Sequence, residues 1–376
     1  VWSRFVGSAK ASRALFEAAE CARLDTNPQR AMELYDLYVR RFPGKEHAAS
    51  AALSLAKLQM EAGDYPAAQR TLEKADKMGG RDNVSATRTL YLKARLAQEM
   101  NETEAAEEAY RAMMQSSVEQ FPEADRAYRH YIGFLENRKR FEESLPVYGA
   151  LANHLSRKGQ APNENLLFSW GEAARKAKQY EQAAGLYRRI LQQFPSSPKT
   201  AQVEFRLAEC RAGMDDLAGA VESLQRIAIN DSSGEYAHKA LLRMGDLYFS
   251  KDLWPSAIVA YRKYLHLPQA PNKDRVIFRI GRIYQEKFKR FGAASREYQT
   301  LLSRHPGSPY YHDALYAIAQ CHEQTGDFSS AMREYEYLLE SGAEQNLVEK
   351  ARDRLDYLTR FKRKAPEEAV ASLTQL

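Results

Sequence analysis

Three arginines, Arg206, Arg243 and Arg279, stand at one position of a repeating cadence, 37 and 36 residues apart. Guanidinium groups spaced in this way can grip carboxylates through paired N–H donors held in a fixed fork. Lys239, Arg275 and Arg282 fall on the same expected helical face, so the spacing predicts a positive groove suited to an acidic segment of a partner. One residue before the arginines runs an aromatic and apolar series: Phe16, Leu53, Tyr91, His130, Phe168, Phe205, Leu242, Phe278 and Tyr316. Aromatic rings anchor protein interfaces because they bring much contact area at low entropic cost. Two readings fit each series. The ladder lines a groove, or it packs sideways between neighbouring elements; the arginines face a partner, or they lie on a solvated face balanced by Glu209 and Asp246.

The sequence offers little for catalysis. The eight histidines are scattered without HExxH or another ligand spacing, and GxSxG, GxxxxGK[ST] and GxGxxG do not occur. No catalytic residue, metal site or cofactor is expected, and the chain reads as a non-enzyme. Cys21, Cys210 and Cys321 each lie ten residues before a recurrent small residue, so all three hold one packing position, where a thiol acts as a small hydrophobe. Disulfides are not expected, and their absence leaves the redox compartment open. The net charge of +6 is mild and interspersed with acids, unlike the dense basic stripe of a nucleic-acid binder.

These residues must be positioned by helices. Tyr335, Tyr298, Tyr261, Leu224, Tyr187, Tyr148, Tyr110, Leu72 and Tyr35 recur at intervals of 37 to 39 residues, each four positions after a small residue: Ala331, Ala294, Ala257, Ala220, Ala183, Ser144, Ala106, Ala68 and Ala31. The segment Asp313 to Leu339 shows the unit, two amphipathic helices joined at Gly326-Asp327. The fold expected is all-α: about nine helical hairpins, period about 37, spanning 8–343, each covered by its neighbours. Phe42-Pro43, Phe121-Pro122, Phe194-Pro195, Leu267-Pro268 and His305-Pro306 end the second helices. A capping helix is expected over 344–360 and a mobile tail or docking segment over 361–376. Ser156 to Asn165 lengthens one interval, as a hinge or a longer corner. Val1 to Gly7 reads as a fragment or a trimmed mature end. No apolar run is long enough to span a bilayer, so membrane association would need a missing anchor or a partner.

The pattern resembles the tetratricopeptide repeat. A small residue twelve before the second-helix alanine (Ala19, Ala56, Ala94, Gly171, Ala208, Gly245, Ala319), large apolar residues before it, and a G-D-aromatic turn all coincide with that motif over about Ser8 to Arg360. The period and the F-P-x-S-P and H-P-G-S-P corners are similar to the bacterial cell-envelope branch, of the Bam-complex lipoprotein and Tol-Pal coordinator type. The resemblance implies a right-handed superhelical solenoid and a non-catalytic scaffold that binds partner proteins in its groove. It implies an envelope complex with periplasmic or outer-membrane-associated placement; a cytoplasmic placement, or a permanent architectural role with the groove incidental, stays open. Arg206, Arg243, Arg279, Lys239, Arg275, Arg282, Phe168, Phe205, Phe278 and Tyr316 are the partner-binding residues this reading selects.

Overall fold

The computed structural model describes residues 9–78, 83–116, 118–230 and 234–373. All regular structure among them is helical, in two compact units, Val1–Ala177 and Lys178–Leu376. The first unit holds α1 (Ala9–Leu24), α2 (Pro28–Arg41), α3 (Ala48–Glu61), α4 (Tyr65–Met78), α5 (Asn83–Glu99), α6 (Thr103–Met114), α7 (Ala124–Asn137), α8 (Phe141–Arg157) and α9 (Glu164–Lys176). The second holds α10 (Tyr180–Gln193), α11 (Thr200–Gly213), α12 (Leu217–Asn230), α13 (Glu235–Ser250), α14 (Trp254–His266), α15 (Lys273–Arg282), α16 (Phe291–Arg304), α17 (Tyr311–Gln324), α18 (Phe328–Glu340) and α19 (Gln345–Leu373). Consecutive helices within each unit pack as antiparallel pairs that stack on one another, as in a helical-repeat solenoid.

Local chemistry sets the ends. Asn27 accepts the amide of Arg30 at 3.1 Å with Pro28 at the first helical position, and Asn163 and Asp327 cap α9 and α18 in the same way. Second helices stop ahead of proline, with the last amides bonded back, Phe42 to Tyr38, Phe194 to Ile190 and His305 to Leu301, each at 2.8 Å. Each hairpin turn places one residue in the left-handed region. Gly63 and Gly326 do so freely at φ +79° and +78°, whereas Thr26, Asn101, Lys139, Lys178, Asp215, Asp252 and Lys289 carry a Cβ there at φ between 53° and 64°.

Within each unit the core of a hairpin is the second-helix tyrosine, or Leu72 or Leu224, laid on the small residue of the first helix. Tyr35, Tyr110, Tyr187, Tyr261, Tyr298 and Tyr335 are fully buried, and each ring contributes on the order of 2 kcal/mol by removing apolar area from water. The approach is so close that a Cβ on Gly245 would meet the Tyr261 ring at 2.3 Å, and one on Gly281 would meet Tyr298 at 2.5 Å. Two hairpins depart from the expected spacing. In the fourth, Ile132 takes the place of the small residue, and Gly133 has nothing near its absent side chain. In the eighth, Gly281 lies thirteen residues before Ala294 instead of twelve, and a π turn at Ile283–Lys287 absorbs the extra residue so that glycine still meets tyrosine.

Other expectations need adjusting. The helix expected to end at Arg360 continues to Leu373, so the backbone of 361–373 is helical rather than a tail. Cys210 and Cys321 are buried as expected, but Cys21 is exposed, because the first hairpin has a neighbour on one side only among the described residues. Burial pushes the Cys321 thiol up to about 11, which keeps it protonated and inert. The 156–165 segment is a corner in which Gly159 ends α8 at φ +71° and Asn163 starts α9. The expected terminal segment Val1 to Gly7 lies outside the described residues.

Two substitutions test this account by urea denaturation. Gly245→Val forces the Tyr261 ring away and lowers stability by about 1–3 kcal/mol. Lys139→Gly removes a left-handed Cβ in an exposed turn and raises it by about 0.5–1 kcal/mol. The opposite sign for either would contradict the geometry.

Candidate partner-binding groove

The first helices of the second unit carry most of the arginines singled out above, and the structure shows how they are held. Asp246, one residue after Gly245 on α13, accepts from the Tyr261 hydroxyl at 2.7 Å. It also pairs with Arg279 of α15, whose Nη1 donates to the same tyrosine hydroxyl at 2.9 Å. Burial, then the bond to Asp246, raises the Tyr261 pKa, so the hydroxyl stays protonated and donating. Arg243 repeats the bridge one hairpin earlier, donating from Nε to Glu209 at 2.6 Å, and Arg354 of α19 repeats it with Glu323 of α17. The arginines therefore join successive hairpins through Glu209 and Asp246, the acids expected to balance them.

Around Arg279 a cavity of about 310 Å³ opens, lined by Phe249, Arg275, Phe278, Arg279, Arg282, Ile283, Glu286, Lys287 and Tyr310. Phe278 stacks on Tyr310 with ring centroids 5.2 Å apart, and the Ser308 hydroxyl fixes that corner by donating to Asp274 at 2.6 Å. Arg282 is tied to Glu286 at 2.7 Å. Arg275 is exposed with no carboxylate partner among the described residues, and Lys287 is exposed with its ammonium 4.9 Å from the Trp254 ring. Two cations beside a half-buried aromatic wall leave the cavity electropositive.

The π turn contributes directly, since Ile283, Glu286 and Lys287 all belong to it. Of the expected residues the cavity unites Arg275, Arg279, Arg282 and Phe278. Arg206, Phe205 and Tyr316 do not line it, Lys239 is drawn to Glu235 at 2.5 Å, and Phe168 belongs to the first unit. The rings of the ladder are half-buried, except Tyr91, which is buried, and several pack toward the next hairpin: Phe16 stacks on His47 at 4.5 Å, and Phe205 lies 6.0 Å from Tyr236. Sequence reasoning missed Phe249, Lys287 and Glu286. The signal for the last two was the extra residue between Gly281 and Ala294.

With this geometry in hand, comparison with known proteins decides the family. A tetratricopeptide repeat-like domain model matches residues 6–129, and a tetratricopeptide repeat model matches 168–235 and 284–346. The chain belongs to the tetratricopeptide repeat proteins. Such an array is a protein-interaction scaffold, so its partners are proteins. Structures similar to this tetratricopeptide repeat chain include MamA, 19% identical over 47% of this chain and 90% of its own, with a TM-score of 0.37. A tetratricopeptide repeat protein from Parabacteroides merdae is 14% identical over 72% and 98%, with a TM-score of 0.38, and PilF of Pseudomonas aeruginosa is 18% identical over 71% and 96%, with a TM-score of 0.30. No curated protein sequence matches the chain. Among the described residues no group of histidine, cysteine and carboxylate side chains could hold a metal ion, and no helix is long and apolar enough to cross a membrane.

The first-helix face of the first unit differs. Clefts of about 780 and 440 Å³ share Lys57, Glu61, Arg88 and Glu123, and there acids and bases alternate. His130 lies in the second cleft, its Nδ1 accepting from Arg95 at 2.8 Å and lying 2.9 Å from the Tyr91 hydroxyl. Burial, with Arg95 and Arg126 adding to it, pushes the His130 pKa down to about 4. The unfolded chain binds that proton near pH 6.5 and the folded chain only near 4, so stability is lost as pH falls through this window. His130→Gln removes this contribution. Between pH 7 and pH 5 the parent loses on the order of 1 kcal/mol more than the variant, allowing for solvent screening of a half-exposed ring. Equal losses in urea titrations would refute the neutral His130.

Proposed function

We propose that this tetratricopeptide repeat scaffold captures an acidic segment of a partner protein in the electropositive cavity formed by α13, α15, the π turn and the corner before α17. The observation that carries the reading is the pairing of two cations without carboxylate partners, Arg275 and Lys287, with the aromatic wall of Phe249, Phe278 and Tyr310. The cations take the carboxylates, and the rings bury an apolar side chain of the same segment. Arg279 is the joint between hairpins and forms the floor; Arg243 acts in the same way one hairpin earlier. No catalytic step is assigned to the site. The proline corners and the period support an assembly role in a bacterial envelope complex.

A second reading has its own support. Leu253 and Met214, in the turns of adjacent hairpins, are 42% and 41% exposed, and Val259 is 55% exposed. Large apolar residues in the open favour a permanent neighbour along that edge, with the cavity incidental.

Affinity capture from native extract with the full chain and with Arg275→Glu/Lys287→Glu separates the two. Both residues are exposed, so the double variant keeps the fold. The first reading expects a partner whose retention falls about tenfold or more on charge reversal and weakens with salt. Recovery of the same complex at the same level by both chains refutes capture in the cavity and favours the architectural role.

A further inference from the structure

The second-helix face of the first unit carries an apolar cleft that the groove reading does not use. It measures about 400 Å³ and lies between α4, α5 and α6, floored by Leu72, Leu90, Leu96, Ala97, Met100 and Ala109. The corresponding place in the second unit, between α12, α13 and α14, holds about 240 Å³. Aligning Ala106 with Ala257 explains the difference: where the seventh hairpin has Tyr248, the third has Ala97. The missing phenol leaves the trough open. Ala97 is only 6% exposed, so the opening runs inward from the surface rather than lying flat on it.

The rim carries charge of one sign. Glu73, Glu102 and Glu108 border the cleft, are exposed, and have no cationic partner among the described residues. The one cation there, Lys93, is held by Asp76 at 2.7 Å. In the seventh hairpin the positions of Glu102 and Glu108 are Leu253 and Val259, and that of Ala112 is Lys263. The acidic rim is thus absent from the cleft of the seventh hairpin, and in the sixth, where Asp216 and Glu222 take the places of Glu102 and Glu108, Glu222 is paired with Arg211 and Arg226.

We infer that this cleft is a second docking site, for an amphipathic helix of a partner protein with an aliphatic ridge flanked by Lys or Arg. The walls are helices whose backbone bonds are already made, so no strand edge is offered and an incoming segment must satisfy its own backbone. The floor extends along α5 from Leu90 to Met100, about 15 Å at the helical rise, which suits three turns of helix and anchors at i, i+4 and i+7. Three carboxylates on the rim complement the basic flanks and repel an acidic helix. The site is separate from the electropositive cavity and stands or falls without it.

The test uses the full chain and a fluorescein-labelled helical peptide of fourteen residues, with leucine at i, i+4 and i+7 and lysine on the flanks, alongside a twin with glutamate for lysine. Anisotropy titrations are expected to show saturable binding of the lysine peptide. Affinity falls at least tenfold with Ala97→Tyr, which refills the trough as Tyr248 does, and at least tenfold with Glu73→Lys/Glu108→Lys. Because both glutamates are exposed, that pair carries the test should Ala97→Tyr fail to fold. The glutamate twin's binding, if any, is unchanged by Ala97→Tyr. Equal affinity of the lysine peptide for the parent and either folded variant overturns the inference. So does a concentration-dependent dimer in sedimentation that disappears with Ala97→Tyr, since the occupant would then be a second copy of this chain.

Discussion

The fold depends on one contact that recurs within both units: a tyrosine or leucine of a second helix lying on the first helix, on a small residue everywhere but at Ile132 of the fourth hairpin. Where the small residue is glycine, as at Gly245 and Gly281, even a methyl group would collide with the ring. The contact fixes the spacing of two helices and fully buries a large side chain. It also brings a phenol to the first helix, where it must find a polar partner. Asp246 accepts the hydrogen bond of the Tyr261 hydroxyl, Glu136 that of Tyr148, Gln98 that of Tyr110 and Gln285 that of Tyr298. Where the partner is an acid, its remaining charge is open to an arginine from the next hairpin. Arg279 takes that offer from Asp246, so packing within one hairpin leads to a hydrogen-bonded joint with the next. This sequence of obligations accounts for the position of Arg279; Arg243 reaches Glu209 in the same way without a phenol, because Leu224 stands where the tyrosine would be.

The eighth hairpin shows how rigid the constraint is. One extra residue between glycine and alanine could have been taken up in the turn, at the expense of the left-handed residue that closes it. Instead the helix widens locally to a π turn, glycine keeps its place on Tyr298, and Lys289 keeps its left-handed conformation at φ +53°. The displacement falls on the residues in between, and Ile283, Glu286 and Lys287 come to line the cavity. A device that preserves the core thus creates the chemistry of the surface, in keeping with the tendency of π turns to mark functional places.

The hairpins, their turns and their proline stops were legible in the sequence because each rests on local periodicity and on residues with few conformational alternatives. The small residue and the tyrosine were legible for the same reason. The pairing of Arg243 with Glu209 and of Arg279 with Asp246 was half legible: the acids were visible nearby, but whether a guanidinium turns to a neighbour or to a partner depends on distances between hairpins that periodicity does not specify. Lys287 was hidden by the shift of register, although the interval of thirteen residues was in plain view. Ile132 escaped because Gly133 beside it offers the smaller residue, and only the packed geometry shows which of the two faces the second helix. The continuation of α19 past Arg360 was obscured by Pro366, which reads as a stop in a sequence and not necessarily as one in a helix.

A repeat whose stability is decided along the line between its two helices leaves both outer faces free to vary. On the first-helix face the second unit collects cations around Arg279, while the first unit alternates acids and bases from Glu20 to Arg126. On the second-helix face the third hairpin exchanges a tyrosine for Ala97 and opens a trough ringed by carboxylates, while the seventh fills the same place with Tyr248. None of these exchanges touches the glycine or alanine under the ring. The chain can therefore carry surfaces of opposite charge on one framework, because the contact that holds each hairpin together makes no demand on the side chains that face outward.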